Sequence, residues 1–174
     1  AGGGPGGRRG GGGGAGKDRD HRLLVMCLDA KSGKILWQKE AAVAKPHEGY
    51  HFRYGSFASN SPTTDGKNVY ASFGSFGLYV YDLDGKLLWK KSVSPMRMRM
   101  EFGEGVAPVL YGDKLLLKMD AEQNSHFVVL DKNTGKELWK VDRPDESSSW
   151  SPPLVTEVNG KKQVIVSATA KTRA

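Results

Sequence analysis

Cysteine is nearly absent from this sequence, and long apolar runs are missing altogether. The single thiol, Cys27, excludes an internal disulfide and leaves the redox compartment open. It lies in the run LLVMCLD, where it reads as a small hydrophobe buried in a strand. No stretch of about 18 apolar residues is available to span a bilayer, and no charged leader followed by an apolar segment marks a signal peptide. The chain opens at Ala1 rather than at a methionine, so a missing or processed upstream segment is expected. Helical periodicity is lacking throughout. Acidic residues are the minority, 19 against 26 Lys and Arg, giving a net charge of +7. Of this, +3 sits in residues 1–22, and the +4 left for the remainder does not point to a nucleic-acid partner.

With 38% hydrophobic residues, a chain of 174 has enough apolar material for a core. The opening stretch AGGGPGGRRGGGGGAG lies outside it. Its side chains bury too little to offset the entropy of ordering, so residues 1–20 are expected to be a flexible segment.

From residue 21 onward the chain repeats itself. LDAKSGKILW (28–37), YDLDGKLLW (81–89) and LDKNTGKELW (130–139) share an apolar residue, Asp, a short polar stretch, Gly-Lys, two residues and Trp. Trp37, Trp89 and Trp139 are 52 and 50 residues apart. Each copy reads as a hairpin. Asp29 or Asp131 accepts backbone N–H groups at the start of the turn, and Gly33 or Gly135 supplies the positive φ that closes a type I turn with a bulge. The middle copy is one residue shorter between Asp82 and Gly85, which predicts a different turn.

Between the hairpins lies a second element: SPTTDGKNVYASF (61–73), APVLYGDKLLLKM (107–119) and SPPLVTEVNGKKQVIVSAT (151–169). Each reads as an extended segment, a turn carrying Gly66, Gly112 or Gly160, and a strand. Two strands here and two in the hairpin make four per unit of about 45–50 residues, the period of a β-propeller blade. The expected fold is therefore all-β, with four-stranded antiparallel blades. They divide into a partial blade at about 21–40, full blades at about 55–93 and 101–142, and a partial blade at about 147–170. Two whole and two half blades would leave strand edges unpaired, so a fragment of a ring of about seven or eight blades is expected.

The hairpin pattern resembles the repeat of pyrroloquinoline-quinone-type propellers, matched at Leu28, Asp29, Gly33 and Trp37, at Leu130, Asp131, Gly135 and Trp139, and at Tyr81, Asp82, Gly85 and Trp89. The resemblance spans nearly all of residues 21–170. It implies that each Trp docks its ring on the neighbouring blade, a structural role. Two branches share such repeats: quinoprotein dehydrogenases, and non-catalytic propellers similar to the scaffold lipoprotein of the outer-membrane β-barrel assembly machinery. The stretches PHEGYHFRYGSFASNSP (46–62), FGEGVAP (102–108) and SSSWSPP (147–153) look most like a third group, exported bacterial propellers defined by their repeats. By that resemblance the glycine-rich segment is a long loop within the first blade, and the protein is periplasmic or extracellular.

Sharper motifs carry less. His47-Glu48-Gly49-Tyr50-His51 matches H-E-x-x-H, a zinc signature that requires a helix, but Pro46 and Gly49 oppose one and no third ligand is spaced for it. His21 and His126 fall at unrelated repeat positions. Gly11 to Lys17 fits a phosphate-binding loop except that Asp18 stands where Ser or Thr would bind Mg²⁺. The Arg8-Arg9 pair within glycines has no interleaved aromatics to form an RNA site. Met96 to Met100 alternates with Arg97 and Arg99 at strand period, which reads as an edge or inter-blade segment whose basic face is solvated or meets an anion at the mouth.

The functional expectation is a non-catalytic scaffold or binding module that presents its loops and channel mouth to a protein or small ligand, with no nucleic acid as partner. A membrane-associated complex is compatible with it. Edge strands offer a route for a partner's extended segment. The segments before Ser61, Ala107 and Ser151 should border the central channel, which makes His47, Glu48, His51, Arg53, Glu104 and Trp150 the candidate ligand contacts. No catalytic residue, metal ligand or cofactor is assigned. The alternative that the resemblance implies is a quinone-dependent alcohol or sugar dehydrogenase, holding pyrroloquinoline quinone and Ca²⁺ in the channel over a Trp floor. The lone Cys27 rules out the adjacent cysteine pair of many such enzymes within this chain, and no Asp or Glu aligns with a base or a calcium ligand.

Overall fold

A computed structural model of the chain describes residues 16–174. The glycine-rich segment, with its Arg pair and most of the phosphate-loop match, lies outside the described residues. Gly16 to Asp20, the end of the stretch expected to be flexible, form a turn held by His21 Nε2 on the Gly16 carbonyl (2.6 Å) and by Lys17 on Glu101 (2.7 Å).

The described residues form four antiparallel sheets, each a simple meander. The first pairs β1 (His21–Leu28) with β2 (Ile35–Ala44). The second is β3 (Thr63–Thr64), β4 (Asn68–Ser72), β5 (Leu78–Asp82) and β6 (Leu87–Lys91), in that spatial order. The third repeats this with β7 (Val109–Tyr111), β8 (Lys114–Met119), β9 (His126–Asp131) and β10 (Glu137–Asp142). The fourth is β11 (Leu154–Val158), β12 (Lys161–Ser167) and β13 (Thr172–Arg173).

The hairpin turns follow from local chemistry. Gly33 N–H bonds to the Asp29 carbonyl (2.8 Å) and Gly135 N–H to the Asp131 carbonyl (2.9 Å), each four residues back. In the shorter copy Gly85 N–H reaches Asp82, three residues back (3.1 Å), which is the different turn that the deletion predicts. The Asp29 carboxylate accepts from the N–H groups of Lys31 and Ser32 and from the Ser32 hydroxyl, and Asp131 does the same with Asn133 and Thr134. These bonds, the hydroxyls first, hold both carboxyls below their usual range. All three hairpins shift register at the residue before the tryptophan, leaving Leu36, Leu88 and Leu138 unpaired. A bulge bends its strand and re-aims the following side chain, and it leaves these three leucines exposed.

Sheets pack face to face, so the middle two are buried on both sides, and the inner strands of the third read as continuous apolar runs, LLL and VVL. Strand alternation then divides them. Leu115, Leu117, Val128 and Leu130 face Tyr70, Leu78 and Val80 of the second sheet, whereas Leu116, Phe127 and Val129 face Val166 of the fourth. On the other side of the second sheet, Ala71, Phe73, Tyr79 and Tyr81 meet Leu23 and Val25 of the first. Burying a side chain of this size stabilises by about 1.5–3 kcal/mol, so each inter-sheet seam is a hydrophobic core in its own right.

Two expectations need correction. Cys27 shares the inward face of Leu23 and Val25 but sits at the end of β1 and is only half-buried. The run from Met96 to Met100 forms no strand. Its N–H groups are taken by side chains instead of a ladder: Met96 by Ser75 Oγ (2.8 Å), Met98 by the Glu48 carboxylate (3.1 Å) and Arg99 by Ser148 Oγ (2.8 Å). The alternation ends where Met100 and Glu101 adopt left-handed backbone, φ 53° at both. Met98 is buried, while Arg97 and Arg99 are solvated.

Candidate functional site

Tryptophan positions decide how blade meets blade. Trp37 donates its indole N–H to the Leu83 carbonyl of the next hairpin (2.7 Å), and its ring lies so close over Gly85 that a Cβ there would come within 2.8 Å. Trp89 repeats the contact one blade on, donating to the Lys132 carbonyl (3.2 Å) and lying 2.7 Å from where a Gly135 Cβ would stand. Trp139 packs on Phe127 of its own sheet, at 5.7 Å between ring centroids, and stays 42% exposed. A second link joins the same two blades as Trp89: Lys132 reaches Asp65 (2.9 Å). Burial raises the Asp65 carboxyl, but the Lys132 ammonium and the N–H groups of Asn68 and Lys67 outweigh it and hold the group well below the usual carboxylate range.

At one end of the sheets the three inter-blade connectors converge. Asn60 Nδ2 donates to the Val106 carbonyl (3.0 Å), and the Trp150 indole donates to the Gly103 carbonyl (2.9 Å). Between them opens a cavity of about 300 Å³ lined by His51, Tyr54, Ser59, Phe102, Glu104 and Trp150, with Gly55, Gly103 and Gly105 completing the wall. A water-sized space of about 20 Å³ behind it is bounded by His47, Glu48, Asn60 and Glu104.

Five of the six candidate contacts therefore meet at the connector end. The sixth, Arg53, points outward with its guanidinium 5.7 Å from the Phe52 ring centroid. His47 bonds through Nε2 to the Met96 carbonyl (2.7 Å). The backbone from 47 to 51 forms bends and no helix, so the two histidines are not set one turn apart as zinc catalysis would need. His51 Nδ1 accepts from the N–H groups of Arg53 and Tyr54 (3.3 Å each), and its ring stacks on Tyr54 at 4.9 Å and meets Phe102 edge-on at 4.9 Å.

Two carboxylates brace the connectors. Glu48 is buried against Met98 N–H, and desolvation pushes its pKa up against that bond. Glu104 accepts from Ser75 N–H (2.8 Å), and its carboxyl occupies the space beside Gly74, where an added Cβ would stand 1.9 Å from Oε2. Gly74 also has φ +56°, so a side chain there meets both strain and a clash. Burial pushes Glu104 up to about 7, against the Ser75 bonds.

Sequence reading missed a buried ionic network between the third and fourth sheets. Lys118, fully buried, donates to Ser149 Oγ (2.6 Å), Ser151 Oγ (3.0 Å) and the Ser167 carbonyl (3.0 Å), with Asp120 at 3.7 Å. Asp120 is gripped by Arg143 through two bonds (2.9 and 3.2 Å) and by the Ser149 hydroxyl (3.0 Å). Arg173 extends the network to Glu146 and Asp145. Burial pushes the Lys118 ammonium below its usual range while Asp120 pulls it back. The available signal was parity: within β8 Lys118 shares the face of Leu116, and Asp120 follows at the same parity just past the strand's end.

No group of three or more His, Cys, Asp or Glu side chains able to hold a metal ion occurs among the described residues. Glu48 and Glu104 are engaged by backbone N–H groups and Asp120 by Arg143, so calcium finds no assembled donor set there, and Trp37 and Trp89 are committed to blade contacts. No helix among these residues is long and apolar enough to cross a membrane.

Repeated four-stranded meanders, packed face to face and pinned by Trp on the next hairpin, define a piece of a β-propeller with pyrroloquinoline-quinone-type repeats. The chain belongs to the family described as outer membrane protein assembly factor BamB, which it matches over residues 21–174. Among solved structures it is similar to a europium-containing methanol dehydrogenase, at 18% identity over 68% of this chain and 21% of that one, with a TM-score of 0.49. It is similar too to BamB from Moraxella catarrhalis, at 16% identity over 70% of this chain and 33% of that one, TM-score 0.48. The V. cholerae biofilm matrix protein Bap1 aligns at 17% identity over 59% of this chain and 16% of that one, TM-score 0.46. The chain thus spans a fifth to a third of the first two proteins. No curated protein matches it in sequence.

Proposed function

We propose that this chain serves as a non-catalytic scaffold of an exported, periplasmic or surface-associated propeller, offering its connector end to a protein or small-ligand partner. The observation that supports this is the employment of the polar residues. His47, Glu48 and Glu104, the groups best suited to acid-base or metal chemistry, each hold a backbone atom of another segment. They stiffen the connectors, and the open cavity beside them is walled largely by rings. Membership of the assembly-factor family favours a protein partner within an outer-membrane complex.

A photo-crosslinking residue placed at Arg53 or Tyr54 in the full-length protein tests this in cells. The expected result is a discrete protein adduct from these positions and none from the same probe at Lys140, on the exposed outer strand β10. Equal labelling from all three positions, or an adduct from Lys140 alone, contradicts the scaffold reading.

A further inference from the structure

Resting on that reading, we propose that the cavity at the connector end binds an organic cation, an ammonium group seated against aromatic faces with Glu104 as its counter-charge. Four rings contribute to the wall, His51, Tyr54, Phe102 and Trp150. Their polar edges are largely used elsewhere. The Trp150 N–H is given to Gly103 O, and His51, its Nδ1 accepting two backbone N–H groups, is stacked on both Phe52 and Tyr54, so the ring surface offered to a ligand is chiefly that of Tyr54, Phe102 and Trp150. The face of an aromatic ring is electrostatically negative and attracts cations within about 6 Å of its centroid, best for Trp. At about 300 Å³ the space lies at the small end of ligand pockets.

Charge selects among ligands that such a wall would admit. Among the described residues Glu104 has no ion-pair partner, and its carboxylate accepts from Ser75. A carboxylate removed from water without a cation is costly, and the cost appears as its raised pKa. Other charged groups near it do not fill the role. His47 is bonded to Met96 O, and Glu48, on the same connector, is negative. Lys118 and Asp120 border the small space on the other side of Glu104 and are occupied by Ser149, Ser151 and Arg143. Arg53 lies over Phe52. A cationic ligand supplies the missing partner, an anion is repelled, and a neutral ligand gains the rings alone.

Calorimetric titration of choline into the full-length protein at about pH 8, set beside its uncharged isostere 3,3-dimethylbutan-1-ol, reads the charge directly. Choline is expected to bind saturably and about tenfold or more tighter than the isostere. Glu104→Gln, which keeps an acceptor for Ser75, should weaken choline about tenfold and leave the isostere unchanged. Lowering the pH toward about 6 protonates Glu104 and weakens choline in the parent but not in the variant. No saturable choline binding, equal affinity for the isostere, or indifference to Glu104→Gln overturns the proposal. The comparison of the two ligands on the parent protein decides even if the variant does not fold. Loss of choline binding with mouth-specific crosslinks intact removes the cation site and leaves the scaffold reading standing.

Discussion

Replacing Gly135 by alanine separates the cost of a backbone conformation from the cost of a ring. Gly33 and Gly135 occupy the same position of the same turn, at φ +69° and +72°. Giving a side chain to a left-handed residue costs about 1–2 kcal/mol at either site. Nothing lies within 4 Å of a Cβ at Gly33, so Gly33→Ala should cost that and no more. At Gly135 the new methyl would stand 2.7 and 2.8 Å from Trp89 ring carbons, roughly 0.8 Å inside an ordinary carbon contact. The indole is fixed by its bond to Lys132 O and by the core around it, so it yields only by strain, worth about 1–3 kcal/mol. Gly135→Ala should therefore destabilise by about 2–5 kcal/mol in urea unfolding of the full-length protein. In a Trp89→Leu background the penalty should fall to the Gly33 value. Equal costs for the two alanines, or a Gly135 cost that survives removal of Trp89, would refute the claim that the tryptophan of one blade is seated on the glycine turn of the next.

Other substitutions probe the polar seams. Asp120→Asn leaves Lys118 and Arg143 buried without their shared anion and should cost about 3–5 kcal/mol in the same unfolding measurement. Asp65→Asn removes the Lys132 link and should lower the urea midpoint near pH 7 by about 1 kcal/mol of stability. Because the folded pKa of Asp65 is depressed, its contribution is whole above the unfolded carboxylate range and fades on acidification, so parent and variant should converge as pH falls below about 4. Glu104 has the opposite sign. With its folded pKa raised to about 7, folding is favoured by the protonated form, and that advantage is lost as pH rises through 7. Glu104→Gln should be more stable than the parent at about pH 8, by about 3 kcal/mol, with the gap closing toward about pH 5. Melting curves across that range check it.

The hairpins were legible because their determinants are local. Asp, Ser or Thr, and Gly within five residues fix the turn, and a one-residue deletion between Asp82 and Gly85 was enough to signal a different hydrogen bond. The 50-residue spacing of Trp then gave the blade period. Convergence of the segments before Ser61, Ala107 and Ser151 followed from connectivity alone, and it brought His51, Glu104 and Trp150 to one cavity. Arg53 escaped because its direction depends on how Phe52 is placed within a loop. The run from Met96 to Met100 misled because alternation records only which side is buried. The side chains of Ser75, Glu48 and Ser148 took its N–H groups, and they lie 21 to 50 residues away in sequence. Lys118 was passed over for a related reason. A lysine in an apolar strand reads as a solvated edge until the serines and Asp120 that satisfy it are seen beside it.

Calorimetric titration of pyrroloquinoline quinone with Ca²⁺ into the full-length protein, paired with a dye-linked assay for alcohol and sugar oxidation, tests the scaffold reading most directly. The account predicts neither saturable binding nor turnover. Tight quinone binding with dye reduction would contradict it, and would place the protein with the dehydrogenases that share its repeats.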